Sequence, residues 1–142
     1  ERADLLAIHR IEQEAFPQPW PFDAFEQSLG RPGFLVAVTD APDRGAVGYV
    51  VADSVPNHGR PLGHVKDIAV QADYRSQGVG TALLQRALGV LRSEGVASVK
   101  LEVREGNDGA RSLYREQGFE HRRTVPRYYN DGENALVMVR SL

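Results

Sequence analysis

The chain has no cysteine, and of its 17 basic residues only Lys66 and Lys100 are lysine. Without thiols there is no disulfide framework, no cysteine-ligated zinc and no thiol nucleophile, and a cytoplasmic setting is expected. The four histidines (His9, His58, His64, His121) are scattered, so no metal is expected either. No apolar run approaches the ~18 residues of a membrane span, and no secretory leader is visible, so no membrane association is expected. The chain opens on Glu1, which leaves room for native residues before it. A net charge of −2 over 142 residues lacks the basic excess that holds nucleic acid or an anionic bilayer. The preference for Arg over Lys reads as a mark of GC-rich coding. The length suits one domain, with no repeat or linker.

What is present is periodic. Leu5, Ile8, Ile11 and Ala15 recur at helical steps up to Pro17, and a second short helix is expected from Phe22 to Leu29, ended by Gly30. Residues 34–38 and 46–52 read as strands joined by a turn containing Pro42, Asp43 and Gly45, and 57–61 as a loop. A strand then leads to a helix with Val79, Leu83, Leu84, Ala87, Leu88 and Leu91 on one face, stopping near Gly95. Strand 97–103 follows, then a helix capped by Asn107 and ended by Gly118, then strands 119–125 and 135–139. An antiparallel meander followed by strand–helix–strand–helix predicts an α/β (mixed α+β) domain. Its central mixed, twisted sheet would have about six or seven strands, parallel in the second half, with helices on both faces.

The most informative stretch runs from Val65 to Leu84, where a strand ending Ile68-Ala69-Val70 leads through a polar turn to Arg75-Ser76-Gln77-Gly78-Val79-Gly80-Thr81. Two glycines at a helix start let the backbone close around a ligand, and the first helical N–H groups point outward with the positive end of the dipole. That is a seat for a phosphate or pyrophosphate. The same pattern also serves as an ordinary strand-to-helix turn with glycines for packing. No Lys follows the glycines, as a P-loop requires, and the Gly-x-Gly-x-x-Gly of a dinucleotide fold is missing.

Further along, Glu102 lies between Leu101 and Val103, facing opposite to both. It is either an exposed carboxylate on a half-solvated strand or a cleft-facing one, and partial burial would raise its pKa toward the range of a general base. Tyr114 on an apolar helix face is either a core residue or a proton donor. His64 is either a strand-edge residue near a loop or a second candidate base. Tyr128 and Tyr129 fit a strand as aromatics often do, and Trp20 between prolines fits a plug at the top of the core. Both groups are also candidates for substrate contact.

Arg75-x-x-Gly78-x-Gly80 after Ile68-Ala69-Val70 resembles the central motif of the GNAT superfamily of acetyl-CoA-dependent N-acetyltransferases. Leu101-Glu102-Val103-Arg104-x-x-Asn107, Leu113-Tyr114 and Gly118-Phe119 are similar to its RimI-type branch, which acetylates the N-terminal alanine of a ribosomal protein. Residues 11–20 and the Arg127-Tyr128-Tyr129 to Ala135 tail also look like that branch, and the match is weakest over 30–63. The resemblance implies a GNAT fold and acetyl-CoA as cosubstrate, held by Ile68, Ala69, Val70, Arg75, Ser76, Gln77, Gly78, Val79, Gly80 and Thr81. Asn107 would bond the pantetheine arm, and the free edges at 69–70 and 99–101 would flank it. It implies Glu102 as proton acceptor, Tyr114 as proton donor to the thiolate, and His64 as alternative base. Direct transfer follows from the missing cysteine, with the Val70 amide polarising the carbonyl.

The acceptor would be a protein or peptide N-terminus, a ribosomal protein among the candidates, gripped by Trp20, Arg127, Tyr128, Tyr129 and Glu133. The chain departs from that branch at Asn134, where Asp is usual, and at Pro126, inserted beside Arg127. Acetylation of lysine side chains or small amines, a broad N-terminal specificity, and a non-catalytic acyl-CoA-binding regulator are the competing readings. The sequence does not fix the oligomeric state.

Overall fold

The structure, a computed structural model, describes residues 4–17, 19–38, 45–55, 59, 61–75 and 77–142. The elements run α1 (Leu5–Ala15), α2 (Phe22–Ser28), β1 (Phe34–Val38), β2 (Ala46–Val55), β3 (Leu62–Val70), α3 (Val79–Ser93), β4 (Ser98–Arg104), α4 (Asp108–Glu116), β5 (Glu120–Val125) and β6 (Ala135–Ser141). A single 3₁₀ turn, Ala72–Tyr74, links β3 to α3. Of the expected turns, Pro42 and Asp43 lie outside the described residues, as do Asn57, His58 and Arg60.

Helix α1 stops because Phe16, ahead of Pro17, is forced into extended backbone (φ −129°, ψ 140°). Its apolar stripe buries Leu5, Ile8 and Ile11, and with them a charged residue, Glu12. Helix α4 begins where Asn107 Oδ1 accepts from the N–H of Ala110 at 3.2 Å.

The six strands form one sheet in the order β1-β2-β3-β4-β6-β5. Only β3 and β4 are parallel, and β6 returns antiparallel between β4 and β5. The expectation of a parallel second half therefore holds for a single strand pair. The connection 126–134 lets β6 fold back from β5 and take the free edge of β4.

Strand alternation distributes the core over both faces. Tyr49, Val51 and Ala69 pack under α1 and α2 with Leu5, Ile8, Ile11 and Phe25. Val50, Ala52, Val65, Val99, Leu101 and Val103 pack on the other face under α3 and α4 with Leu83, Leu84, Ala87, Leu88, Leu91 and Tyr114.

Two backbone details open the sheet. Val51 pairs with Asp67 but Ala52 with Val65, so Lys66 is the extra residue of a β-bulge in β3. Pairing of β3 with β4 is confined to Leu62↔Ser98, Gly63↔Val99 and His64↔Lys100. A bulge bends and twists its strand, and beyond it β3 diverges from β4. Val99 and Lys100, expected at a free edge, lie in the paired part, and the splay begins at Leu101.

Candidate functional site

The diverging strands enclose a cleft of about 880 Å³. Its walls come from the α1–α2 connection (Glu12, Ala15, Phe16, Trp20), from 65–70 of β3, from the start of α3 (Arg75, Gly78, Gly80, Thr81), from 102–104 of β4, from α4 with Asn107 and Tyr114, and from Tyr129.

Backbone geometry determines what β3 offers to the cleft. The N–H of Gln71 donates to Val47 O at 2.7 Å, so Val47 and Gln71 form a hydrogen-bonded antiparallel pair. Such pairs alternate with non-bonded ones, which makes Gly48↔Val70 and Val50↔Ile68 non-bonded. The main-chain polar groups of Ile68 and Val70 therefore point away from β2, toward the cleft. Val70 O accepts from Arg75 Nε at 3.0 Å, which pins the turn into α3.

Gly78 caps α3 in the left-handed region (φ +83°), and a Cβ placed there would meet nothing within 4 Å. A Cβ on Gly80 would stand 3.4 Å from Leu113 Cδ2 and 3.7 Å from Val70 Cγ2. The first turn of α3 is drawn in against Gly48, whose missing side chain leaves room for Val79 and Leu83. The cap supplies no side-chain acceptor, and the first N–H groups of a helix have none within it. The result is an open, positively polarised seat beside the cleft.

On the opposite wall Glu102 Oε1 lies 2.7 Å from His64 Nε2, and Oε2 lies 3.4 Å from Lys100 Nζ. The hydrogen bond with His64 holds the Glu102 carboxyl below the usual carboxylate range, and Lys100 adds to this while partial burial opposes it. The upward shift expected from burial is thus reversed, because a hydrogen bond and neighbouring positive charge favour the ionised form. Glu102 lines the cleft, whereas His64 stands behind it. Tyr114 is buried in the core and also reaches the cleft, so the two readings of this residue are not exclusive. Burial, and then the negative charge of Asp67, push its phenol well above the ordinary value.

Of the expected cofactor contacts, Ile68, Ala69, Val70, Arg75, Gly78, Gly80, Thr81, Asn107 and Tyr114 line the cleft, and Gln77 and Val79 do not. Ser76 lies outside the described residues. Asn107 spends its Oδ1 on the helix cap. Of the expected substrate contacts, Trp20 and Tyr129 line the cleft; Arg127, Tyr128 and Glu133 do not.

Glu133 is engaged elsewhere, accepting from Arg104 Nη1 at 2.9 Å and from the Gly106 N–H at 2.8 Å. The Arg104 guanidinium lies 4.0 Å from the Tyr129 ring centroid and also pairs with Asp131 at 2.8 Å, so this network clamps the β5–β6 connection to β4. Burial raises the Tyr129 phenol to about 12, against the opposing pull of Arg104. Asn134 joins the same clamp, accepting from the Arg127 N–H at 3.1 Å and donating to Glu105 at 3.3 Å.

Among the cleft residues that escaped the sequence reading are two carboxylates of the inner wall, Glu12 and Asp67. Glu12 is only 1% exposed, and Asp67 stands beside it on β3. The signal was there: Glu12 falls four residues after Ile8, on the stripe that packs inward.

The model of the acetyltransferase (GNAT) family matches residues 5–119. An N-alpha-acetyltransferase of Sulfolobus acidocaldarius is 34% identical over 150 residues, covering 99% of this chain and 88% of its own. The ribosomal protein bS18-alanine N-acetyltransferase of Escherichia coli is 34% identical over 143 residues, covering 97% and 91%. The crystal structure of Ard1 from Thermoplasma volcanium superposes with a TM-score of 0.87 at 28% identity, covering 100% of this chain and 93% of that one. A motif turn, a split sheet and matches that run nearly end to end agree, and the chain belongs to the GNAT family of acetyltransferases.

Proposed function

We propose that this protein is an acetyl-CoA-dependent N-α-acetyltransferase that transfers the acetyl group directly to the N-terminal amine of a protein or peptide. The observation that carries the reading is the cleft between β3 and β4, with an anion seat at one end and Glu102, Tyr114, Trp20 and Tyr129 around the other. The open space over Gly78 and the uncapped start of α3 fit a pyrophosphate, and the outward main chain of Ile68 and Val70 fits an amide-bearing arm laid along the strand. Acetyl-CoA supplies an activated acyl group on a thiolate leaving group.

The residues then divide the work. Glu102, kept ionised by His64 and Lys100, accepts a hydrogen bond from the incoming amine and orients it. The Val70 N–H faces the cleft as a donor to developing oxyanion charge. Tyr114, whose phenol stays protonated, gives its proton to the departing sulfur, and the second N–H proton, released as the amide forms, restores it. Trp20 and Tyr129 bracket the acceptor's first residue.

The N-terminal preference rests on the two sequence relatives, which are named for N-alpha and ribosomal-protein alanine acetylation. A ribosomal protein is the finer candidate that the second of these suggests.

A peptide panel tests the reading. Mass spectrometry after incubation with acetyl-CoA should show Ala- and Ser-starting peptides labelled first, bulky starters later and N-terminally blocked Lys peptides last. Equal or greater labelling of an internal Lys on a blocked peptide would replace this reading with lysine or small-amine acetylation.

A further inference from the structure

The inner wall of the cleft carries an arrangement that the mechanism above does not use. Glu12 on α1 and Asp67 on β3 both line the cleft, and the Tyr49 hydroxyl of β2 reaches both carboxyls. The Tyr49 hydroxyl donates to Glu12 Oε1 and stands 3.5 Å from Asp67 Oδ2. The Trp20 N–H donates to Glu12 Oε2 at 2.8 Å. Among the described ion pairs none includes Glu12 or Asp67, and α2 contributes only the ring of Phe25, edge-on to Tyr49 at 5.4 Å. The other charged or titratable groups lining the cleft are Tyr114 and Glu116 on α4, Lys66, 4.0 Å from Asp53, Arg75 ahead of α3, Arg104 and Tyr129, and Glu102 with its His64 and Lys100 partners.

A buried carboxyl beside a second carboxyl, with no ion pair among the described residues, is disfavoured in its charged form. Burial, and then contact with Glu12, raise the Asp67 carboxyl well above its ordinary value. Glu102, by contrast, is held low by its partners. An N-terminal amine is largely an ammonium near neutral pH and must lose a proton before it attacks. A group whose pKa has been raised is a better acceptor for that proton than one held low.

We infer that the Glu12–Asp67 pair is the proton acceptor for the substrate ammonium, with Asp67 as the contact residue. One N–H bond of the ammonium breaks and its proton goes to the cleft-facing oxygen of Asp67. The new Asp67 acid is held beside Glu12, whose two oxygens accept from the Trp20 backbone N–H and the Tyr49 hydroxyl. The amine keeps its lone pair and attacks, and Asp67 returns its proton to water after product leaves. This rests on the reading that the acceptor is an amine.

The test is the pH dependence of acetyl transfer to an Ala-starting peptide. Asp67→Asn keeps shape and one hydrogen-bond partner; its kcat should fall by about 10²–10⁴. The acidic limb of its pH–rate profile should flatten, with acetyl-CoA affinity unchanged. Glu12→Gln, the second variant, should displace the same limb. A folded Asp67→Asn protein with kcat within about threefold of wild type and an unmoved acidic limb would overturn the inference.

Independently of any variant, NMR of the Asp67 side-chain carboxyl carbon in the wild type should show it titrating above the ordinary carboxylate range. Titration of Asp67 in the ordinary carboxylate range would also overturn it. If the wild type acetylates only a lysine or small amine, the N-terminal reading fails. The same pH comparison on that acceptor then decides the pair's role separately.

Discussion

Replacing Glu102 with Gln removes a charge and leaves a side chain of the same shape, so its effect reports what the charge does. In the folded protein the carboxyl titrates below its unfolded value near ~4.3, chiefly because of the hydrogen bond with His64 at 2.7 Å. A depressed pKa stabilises the fold fully above the unfolded value, and the contribution disappears as pH falls through the folded one.

A hydrogen bond to a charged group is worth about 1.5–3 kcal/mol. His64 and Lys100 are 23% and 36% exposed, which screens the pair, and Gln keeps a neutral acceptor. A net loss of about 1 kcal/mol remains, or about 3 °C in Tm for a domain of this size. Thermal melts should therefore show the variant about 3 °C below wild type near neutral pH, with the gap closing below about pH 4.

In transfer assays the loss of one charged hydrogen bond to the amine should lower kcat/KM by roughly 10–10², with acetyl-CoA affinity unchanged. A Tm gap that widens in acid would refute the electrostatic account. A loss of 10³ or more with a flattened acidic limb would make Glu102 itself the proton acceptor.

Two further substitutions probe the cofactor side. Gly80→Val should weaken acetyl-CoA binding at least about tenfold by calorimetry, since Leu113 and Val70 already stand at contact distance from a Cβ there and the extra methyls must project into the seat; unchanged affinity in a folded variant would remove the pyrophosphate seat. Tyr114→Phe should lower kcat by about 10² while CoA binding persists, and wild-type turnover should show no loss from Tyr114 ionisation up to about pH 9, because its phenol is pushed well above the ordinary value.

Periodicity located every described helix and strand. The stripe read on α3 is the buried one, with Val79 at its margin, and the start of α4 is the Asn107 cap foreseen from composition. Local signals erred by a few residues where a strand outruns its apolar part, as β2 does in continuing through Asp53 and Ser54 to Val55. Long-range pairing was not legible: nothing in 135–141 says that this strand inserts beside β4, and nothing near Lys66 announces a bulge. Those two features place the cleft and decide which side chains share it.

Glu102, Tyr114 and the glycine turn were legible because their spacing is local. The partners that reverse the Glu102 shift were not, since His64 arrives from a neighbouring strand and only register brings it within 2.7 Å. The burial of Glu12 was legible in its helical spacing, but its meeting with Asp67 was not, since the two are 55 positions apart and joined only by packing of α1 on the sheet.

The position of β6 constrains the order of assembly during synthesis. Strand β4 leaves the ribosome well before the segment that will cover its outer edge, and β5 is made in between yet pairs only with β6. Until residues 135–141 emerge, β4 presents an open ladder, and the places of Leu136 and Met138 in the core under α3 and α4 are empty. Cooperative closure of this half must therefore await the last strand, a long-range step that slows folding and makes it a late event. Truncation ahead of Ala135 should leave an aggregation-prone chain, with the damage far larger than the loss of as many residues from a helix end.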